Sequence, residues 1–341
     1  MNSAFSTGKT VNPPRSLSGA KTPKTARGTG ELPGSGSAPF SEKSRGLVEK
    51  ASGPPLSLTL GKSRNLSQAI MFILFRIATL INALAVLVVI SFLVAKGWRA
   101  INWTFLTQPP LESMTKGGIL PCIVGTAALG VGAILIALPI GLASAIYLHE
   151  YARSGLALRL IRLGINNLAG VPSVVFGLFG LAFFVVWLHL GVSILSGALT
   201  LAAMTLPVII ASSEEALKAV PDSYREASLA LGATKWQTIY RVVLPAALPG
   251  ILTGAILGLG RAAGETAPIM FTAAVFYTPK LPRSIFDEVM ALPYHIYVLA
   301  TAGTEIEKTR PLQYGTALVL IILVFGLNLA AVIYRSRLRR R

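Results

Sequence analysis

Six long apolar runs are the feature that most constrains how this chain can fold. They lie at about residues 70–95, 119–148, 166–190, 192–212, 248–276 and 314–334. A helix needs about 20 consecutive apolar residues to cross the hydrocarbon core of a bilayer, so each run is long enough to do so. Charged residues make up only 13% of the chain, against about 25% in soluble domains, and the mean hydropathy is +0.64. The sequence therefore predicts an all-α polytopic membrane protein with six transmembrane helices, the third and fourth forming a tight hairpin.

The distribution of basic residues predicts the orientation of these helices. The net charge of +17 is also compatible with a nucleic-acid partner, but the basic residues lie in the tails and loops rather than on one folded face. If the N-terminus is cytoplasmic, the inner segments hold 22 Lys and Arg residues and the outer loops hold seven. Cytoplasmic loops carry such an excess in membrane proteins. We therefore predict that both termini are cytoplasmic and that nucleic acid is not a partner.

Two regions differ sharply in composition. Residues 1–68 are rich in Gly, Ser, Thr and Pro and hold ten Lys and Arg residues against three acids. Such a segment buries too little apolar area to offset the entropy lost on folding. We predict a disordered, basic cytoplasmic tail over 1–68 and a transmembrane domain over 69–341.

No pattern in the chain indicates a cofactor, a metal site or a catalytic centre. Cys122 is the only cysteine, and its apolar surroundings predict an inert, packed thiol. His149, His189 and His295 lie far apart in the sequence, and no nucleophile is placed beside a base. The sequence therefore predicts that this chain is not itself an enzyme.

The polar segment between the fourth and fifth runs, residues 213–245, predicts two short helices. A capping box pairs an N-cap Ser or Thr with a Glu or Gln three residues later, and the segment has two such pairs: Ser223 with Glu226, and Thr234 with Gln237. Gly232 between them is suited to end the first helix, because glycine adopts the left-handed conformation that follows many helices. The second helix is expected to run to Pro245. Two capped helices that meet at a glycine predict a rigid element at the membrane surface.

The same segment resembles the signature loop of ABC importer permeases, which reads Glu-Ala-Ala, three residues, Gly, nine residues, Ile-x-Leu-Pro. The matching residues here are Glu226, Ala227, Ser228, Gly232, Val242, Leu244 and Pro245. Ser228 and Val242 depart conservatively from that pattern. The resemblance implies a coupling helix that sits in a groove of a cytoplasmic ATPase subunit, with Gly232 as hinge and with Glu226, Ala227, Leu244 and Pro245 as further coupling residues. The alternative is an amphipathic helix that lies on the lipid surface.

Three stretches resemble the phosphate-transport permeases of this family more specifically: "REASLALGATKWQT", "GRAAGETAPIMFTA" and "MALPYHIYVLAT". The resemblance covers about residues 115–335. It implies the type I permease fold in the inner membrane of a bacterial cell. The implied partners are a second permease subunit, two ATP-binding subunits that hydrolyse ATP, and an extracytoplasmic phosphate-binding protein that meets the outer loops, including 277–313.

Arg261 and Glu265 are two charges inside the fifth apolar run. At 1.5 Å per residue they lie about 20 Å and about 26 Å along a helix that begins near residue 248. Each would cost about 2.5–3.5 kcal/mol if it faced lipid there, so both should face protein or water. Gly264 and Pro268 flank Glu265 and favour a break, after which Thr266 can cap a new half-helix. Backbone N–H groups at such a break, together with a guanidinium, suit an oxyanion.

We therefore predict a substrate pathway that contains Arg261, Glu265 and Thr266. An ion pair that only locks the fifth helix to a neighbour is the structural alternative. Two other functions remain open: an ABC permease for another oxyanion or polar solute, and a secondary transporter or channel, which would need no coupling loop.

Overall fold

The computed structural model describes residues 61–114, 116–302 and 306–339. Most of the predicted tail, residues 1–60, lies outside the described residues. Within the predicted tail, residues 61–68 are helical and begin the first long helix.

The described chain is built almost wholly from helices, as predicted. The α-helices are α1 Gly61–Gly97, α2 Trp103–Thr107, α3 Leu120–Ile146, α4 Leu156–Ala169, α5 Ser173–Gly180, α6 Ile194–Lys218, α7 Asp222–Ala230, α8 Lys235–Thr238, α9 Leu244–Gly264, α10 Ala267–Thr272, α11 Leu292–Thr301 and α12 Ile306–Arg339. Wide, π-helical turns at Tyr147–Tyr151, Leu181–Trp187 and Ile239–Val243 extend α3 and α5 and join α8 to α9. Two-residue strands β1, Pro110–Leu111, and β2, Lys116–Gly117, form an antiparallel hairpin.

Five of the described helical segments are long and apolar enough to cross a membrane: Gln68–Ala100, Leu120–Tyr151, Ile194–Lys218, Lys235–Gly264 and Thr309–Arg337. A sixth crossing exists if Leu156–Ala169 and Ser173–Trp187, which meet at a bend of 100°, count as one span. The prediction of six spans therefore agrees with the structure only if this bent pair is counted as one span.

The prediction of one continuous helix over residues 166–190 is wrong. The chain bends between Ala169 and Ser173 instead. Pro172 removes a backbone N–H donor, and a residue that precedes proline, here Val171, is pushed away from the α-helical conformation. Gly170 caps the preceding helix. The run thus consists of the end of one helix and a separate, shorter helix that meets it at a bend.

The predicted boundaries of the second coupling helix and of the fifth span are also wrong. The helix that begins at Lys235 does not end at Pro245 but continues to Gly264 as one segment of 30 residues. Pro245 lies in the first turn of α9, directly after the wide turn Ile239–Val243. Proline is tolerated in a first turn, where its missing N–H removes no helical hydrogen bond.

Helix α6 is the most buried of the spans and packs between α3 and α9. Small residues allow the close approach: a Cβ atom at Gly141 would lie 2.7 Å from Ile209 Cγ2, and one at Gly250 would lie 2.6 Å from Ala216 Cβ. Close backbone packing of this kind stabilises helix pairs in membranes, where lipid is as apolar as the side chains. Cys122 on α3 is fully buried, as predicted.

The predicted outer loop 277–313 contains a buried segment. Val289 pairs with the chain directly after α10, accepting the N–H of Val275 at 3.0 Å. The side-chain hydroxyl of Thr126 on α3 accepts the N–H of Leu292 at 2.8 Å. Val289, Leu292 and much of α11 therefore belong to the core, and the exposed part of the loop is shorter than the sequence indicates.

Candidate coupling segment and substrate pathway

The coupling segment, which we define as residues 221–243, carries the predicted glycine stop. Gly232 has a φ of +84°. Its N–H donates to the carbonyl of Leu229 at 2.9 Å, and the N–H of Ala233 donates to the carbonyl of Ser228 at 3.3 Å. These two bonds form a Schellman motif, which satisfies carbonyls that the helix end leaves free. The role predicted for Gly232 as the stop of the first helix is confirmed.

One of the two predicted capping boxes forms. Thr234 Oγ1 accepts the N–H of Gln237 at 3.3 Å, and the Gln237 side chain accepts the N–H of Thr234 at 2.9 Å. The predicted capping box of Ser223 with Glu226 does not form. Pro221 occupies the N-cap position, and Ser223 therefore lies inside the first turn. Asp222 supplies a negative charge there, which favours the positive end of the helix dipole.

Arg225 anchors the coupling segment to the transmembrane helices. Its guanidinium donates to Glu150 Oε1 at 3.0 and 3.2 Å, to the carbonyls of Leu217 and Val220 at 2.9 and 2.8 Å, and to Asp222 Oδ1 at 3.1 Å. The side chains of Arg225 and Glu150 are only 15% and 9% exposed. One side chain thus ties α7 both to the end of α6 and to the turn that ends the second span.

Further contacts make the segment one rigid unit. The hydroxyls of Ser228 on α7 and Thr238 on α8 lie 2.9 Å apart. The Lys235 ammonium donates to the carbonyl of Glu150 and lies 4.8 Å from the centre of the Tyr151 ring. Sequence reasoning missed Glu150 and Arg225. The only available signal was an isolated acid at the end of an apolar run, which does not identify a partner 75 residues away.

The outer face of the coupling segment presents large apolar side chains. Those of Tyr224, Leu229, Leu231, Trp236 and Tyr240 are exposed, and Leu231 reaches 90%. Glu226 and Ala227 are exposed as well, whereas Leu244 is half-buried and Pro245 begins α9. Exposed apolar groups on a rigid frame are typical of a docking surface.

The left-handed conformation of Gly232 leads to the first prediction. A Cβ atom at this position would meet no neighbour within 4 Å, so Gly232→Ala introduces backbone strain alone, which we expect to cost about 1–2 kcal/mol. The variant should lower the midpoint of thermal unfolding of the purified protein without preventing insertion into the membrane. Gly155→Ala is the matched control, because Gly155 has equal space but a φ of −177°. Equal losses in the two variants would contradict a special role for the backbone at 232.

The predicted break in the fifth span is present. Helix α9 ends at Gly264, Glu265 is extended with φ −79° and ψ 135°, and α10 begins at Ala267. Thr266 occupies the N-cap position of α10, but its side chain makes no capping hydrogen bond. The expected cap by Thr266 is therefore wrong, since its φ of −105° and ψ of −51° are already helical. Helix α10 has six residues, with Pro268 in its first turn.

The charged pair lies at this break. Arg261 Nε is 3.5 Å from Glu265 Oε1, and the two side chains are 39% and 21% exposed. The pair is thus loose and open on one side rather than locked to a neighbouring helix within the described chain. The structure brings Arg261 and Glu265 together, with Thr266 next in the chain, on a face that the described residues leave partly exposed.

Two glycines of α5 hold the short half-helix in place. A Cβ atom at Gly177 would lie 3.0 Å from both the Ala267 carbonyl oxygen and Pro268 Cα, and one at Gly180 would lie 2.8 Å from Thr272 Cγ2. The backbones of α5 and α10 therefore touch directly at Gly177, whereas Gly180 packs against the side chain of Thr272, and the close approach of the two helices depends on the absence of side chains at 177 and 180.

Because of this contact, Gly180→Ala should displace α10. The new methyl group would also overlap the side chain of Thr200, and overpacking of this kind typically costs about 1–3 kcal/mol. We expect a lower midpoint of thermal unfolding for the purified protein. Gly164→Ala on α4, where a Cβ atom meets nothing within 4 Å, should leave the midpoint unchanged. An unaltered midpoint in Gly180→Ala would show that the contact is not tight.

The coupling segment and the break are the two ends of one helix. The continuous segment Lys235–Gly264 has 30 residues, which corresponds to about 45 Å at 1.5 Å per residue. Continuous helical backbone therefore joins α8 to the residues around Arg261. No group of His, Cys, Asp and Glu residues suited to a metal ion occurs among the residues that the structure describes.

Known proteins match this architecture. Residues 137–341 match the family described as binding-protein-dependent transport system inner membrane component. The chain is 38% identical over 253 residues to phosphate transport system permease protein PstA 1 of Mycobacterium tuberculosis (strain H37Rv), covering 73% of this chain and 80% of that protein. It is 37% identical over 293 residues to PstA of Mycobacterium leprae, covering 84% and 93%. It is 34% identical to a probable ABC transporter permease, YqgI, of Bacillus subtilis, covering 76% and 91%.

Solved structures share the fold. A bacterial alginate ABC transporter in complex with its pentasaccharide-bound periplasmic protein matches with a TM-score of 0.52 at 16% identity, covering 83% of this chain and 97% of that one. The inward-facing MetNI methionine ABC transporter matches with a TM-score of 0.50 at 21% identity, covering 65% and 94%. The chain therefore belongs to the binding-protein-dependent transport system inner membrane component family, and it is a multi-pass transport subunit with the fold of ABC importer permeases.

Proposed function

We propose that this chain is the membrane-spanning permease subunit of an ATP-driven importer of inorganic phosphate. The observation that carries the proposal is the continuous helix from Lys235 to Gly264, which joins an exposed coupling surface to a charged break. A secondary transporter or channel would need no such coupling surface. The names of the relatives in two Mycobacterium species, which are phosphate permeases, support phosphate as the substrate.

The proposed partners follow from the surfaces that the described residues leave exposed. The exposed apolar face of the coupling segment docks into a cytoplasmic ATP-binding subunit, which hydrolyses the nucleotide in place of this chain. The open side of Arg261 and Glu265 faces a second permease subunit, so that the pathway runs between the two chains. An extracytoplasmic phosphate-binding protein delivers substrate from the other side. Both termini and the coupling segment are then cytoplasmic, in agreement with the excess of Lys and Arg in those segments.

The charged break supplies the chemistry for an oxyanion. A guanidinium presents several N–H donors in a planar fork that matches phosphate oxygens. At rest Glu265 neutralises Arg261 at 3.5 Å, a distance longer than a strong charge-assisted hydrogen bond. Phosphate therefore competes with Glu265 for the guanidinium, and the carboxylate is released when the anion binds.

The direct test is competition for uptake by the reconstituted complex. Proteoliposomes that contain both permease subunits, the ATPase subunits and the binding protein should accumulate radiolabelled phosphate only with ATP. Sulfate and molybdate should compete weakly. Preferred uptake of sulfate or molybdate would identify another oxyanion as the substrate, and uptake that persists after ATP depletion would favour a secondary transporter.

A further inference from the structure

Three side chains at the charged break make no hydrogen bond within the part of the chain that the structure describes. They are the guanidinium of Arg261, the carboxylate of Glu265 and the hydroxyl of Thr266. A guanidinium has only N–H donors, a carboxylate has only acceptors, and a hydroxyl has both. The break therefore offers a ligand unused donors and unused acceptors within a few residues of each other.

The pair of Arg261 and Glu265 is looser than comparable ion pairs in this protein. Elsewhere in the described chain, Lys and Arg side chains approach Glu to 2.7–3.0 Å, whereas Arg261 Nε and Glu265 Oε1 are 3.5 Å apart. Helix α9 ends at Gly264 and the backbone of Glu265 is extended, so the two residues do not have the full helical i, i+4 geometry that favours close pairs. The break thus holds the two charges near each other without closing them into a hydrogen bond.

The two charges are also open to a ligand. Their side chains are 39% and 21% exposed, although Arg261 belongs to a segment long and apolar enough to cross the membrane. Charged groups inside a span face protein or water rather than lipid. A pair that only held the fold together would need neither an open side nor a gap between its charges. This geometry leaves room for an anion to enter between the guanidinium and the carboxylate.

Oxyanions of similar size differ in whether they carry a proton. At neutral pH inorganic phosphate and arsenate keep at least one O–H group, whereas sulfate and molybdate have none. Phosphate therefore offers acceptor oxygens to Arg261 and a donor to Glu265. Sulfate offers acceptors only, so its binding would place an anion beside a carboxylate with no proton to share, and a charged group left without a partner weakens binding.

We propose that Glu265 selects for an oxyanion that carries a proton, an inference that rests on the proposed role of the break in phosphate uptake. Arg261 donates to the unprotonated oxygens, and the carboxylate of Glu265, released from the guanidinium, accepts the O–H group of the same anion. Glu265 thereby rejects anions that lack a proton, in addition to neutralising Arg261 at rest. Specificity of this kind depends on an unfavourable contact with the wrong ligand as much as on a favourable one with the right ligand.

This role accounts for the presence of a carboxylate in an anion pathway. A negative charge that acted only through its field would repel every oxyanion and would lower the affinity of Arg261 for phosphate. A carboxylate that accepts a hydrogen bond from the anion returns part of that loss, but only for an anion with an O–H group. Sites that hydrogen-bond a substrate hydroxyl discriminate strongly against analogues without it.

Competitive binding to the complex of permease and ATPase subunits tests the proposal, with the binding protein left out so that its own selectivity does not contribute. The probe is radiolabelled phosphate, and the binding that Arg261→Ala removes is counted as binding at the break. Arsenate should displace it about as well as phosphate does, whereas sulfate and monofluorophosphate should be at least about tenfold weaker. Monofluorophosphate is the decisive competitor, because at neutral pH it has a fluorine where phosphate has its O–H group.

Glu265→Gln should remove this discrimination. The neutral amide can donate to a sulfate oxygen and can still accept from phosphate, so the ratio of sulfate affinity to phosphate affinity should rise at least about tenfold. Glu265→Asp keeps a carboxylate and should keep the preference for protonated anions. Glu288→Gln removes an exposed carboxylate between α10 and α11 and should leave the ratio unchanged.

Two results would overturn the inference and leave the phosphate pathway standing. One is equal affinity for phosphate and monofluorophosphate in the unaltered complex, which requires no variant to fold. The other is full discrimination against sulfate by a Glu265→Gln complex that still binds phosphate. If Arg261→Ala instead removes no phosphate binding, the break is not the substrate site, and its proposed role in uptake fails together with this inference.

Discussion

Arg261→Ala should reduce ATP-dependent phosphate uptake by about ten- to a hundredfold, while the complex still assembles and hydrolyses ATP. The variant removes the guanidinium at the break and leaves Glu265 with no cation beside it. Hydrogen bonds to charged groups contribute about 1.5–3 kcal/mol, and each 1.4 kcal/mol corresponds to about a factor of ten. Uptake and ATP hydrolysis, measured in the same proteoliposomes, separate a loss of substrate contact from a loss of assembly.

Two further variants test whether the effect is specific to the guanidinium at position 261. Arg261→Lys keeps the charge but loses the planar fork, so it should recover only part of the uptake. Arg76→Ala removes an exposed arginine from α1 and should have little effect. Normal uptake by Arg261→Ala would exclude a role in the pathway. Failure of that variant to assemble would instead favour the purely structural ion pair.

Arg225→Ala should uncouple transport from ATP hydrolysis. It leaves Glu150, which is 9% exposed, without its main cation, and it removes the donors to the carbonyls of Leu217 and Val220. Breaking a buried ion pair in this way costs about 3–5 kcal/mol. The coupling segment would then move without carrying the second and fourth spans with it. We expect hydrolysis to continue while uptake falls at least about tenfold, together with a lower midpoint of thermal unfolding.

The double variant Arg225→Ala/Glu150→Gln distinguishes charge from packing. Since it leaves no unpaired carboxylate, part of the stability lost in Arg225→Ala should return. Lys116→Ala removes an ion pair whose side chains are 69% and 61% exposed and should change stability by less than about 1 kcal/mol. Coupled transport at the normal stoichiometry in Arg225→Ala would refute the anchoring role of this residue.

Features that depend on neighbouring residues were predictable from the sequence. The capping box of Thr234 with Gln237 and the left-handed Gly232 follow from the preferences of a few adjacent residues, and both are present. The break near Glu265 follows from the glycine and proline that flank it. Burial of Cys122 follows from its apolar surroundings.

Features in which two local preferences compete were mispredicted. Ser223 is a good N-cap residue, but Pro221 starts the helix earlier. Pro245 is predicted to end a helix, yet the wide turn Ile239–Val243 places it in a first turn where it is tolerated. The third apolar run contains parts of two helices that meet at a bend of 100°, since apolar composition alone does not show where a helix breaks.

By itself the sequence determined that the chain crosses a membrane several times, that a capped segment lies between two spans, and that two charges must avoid lipid. These properties follow from apolar length and from the energetic cost of charge in hydrocarbon. Only the tertiary structure decided that Glu150 anchors Arg225, that α8 and α9 form one helix, and that α5 touches the backbone of α10. The contacts of Glu150 with Arg225 and of α5 with α10 join residues tens of positions apart, and their geometry depends on how the helices pack, which no local pattern encodes.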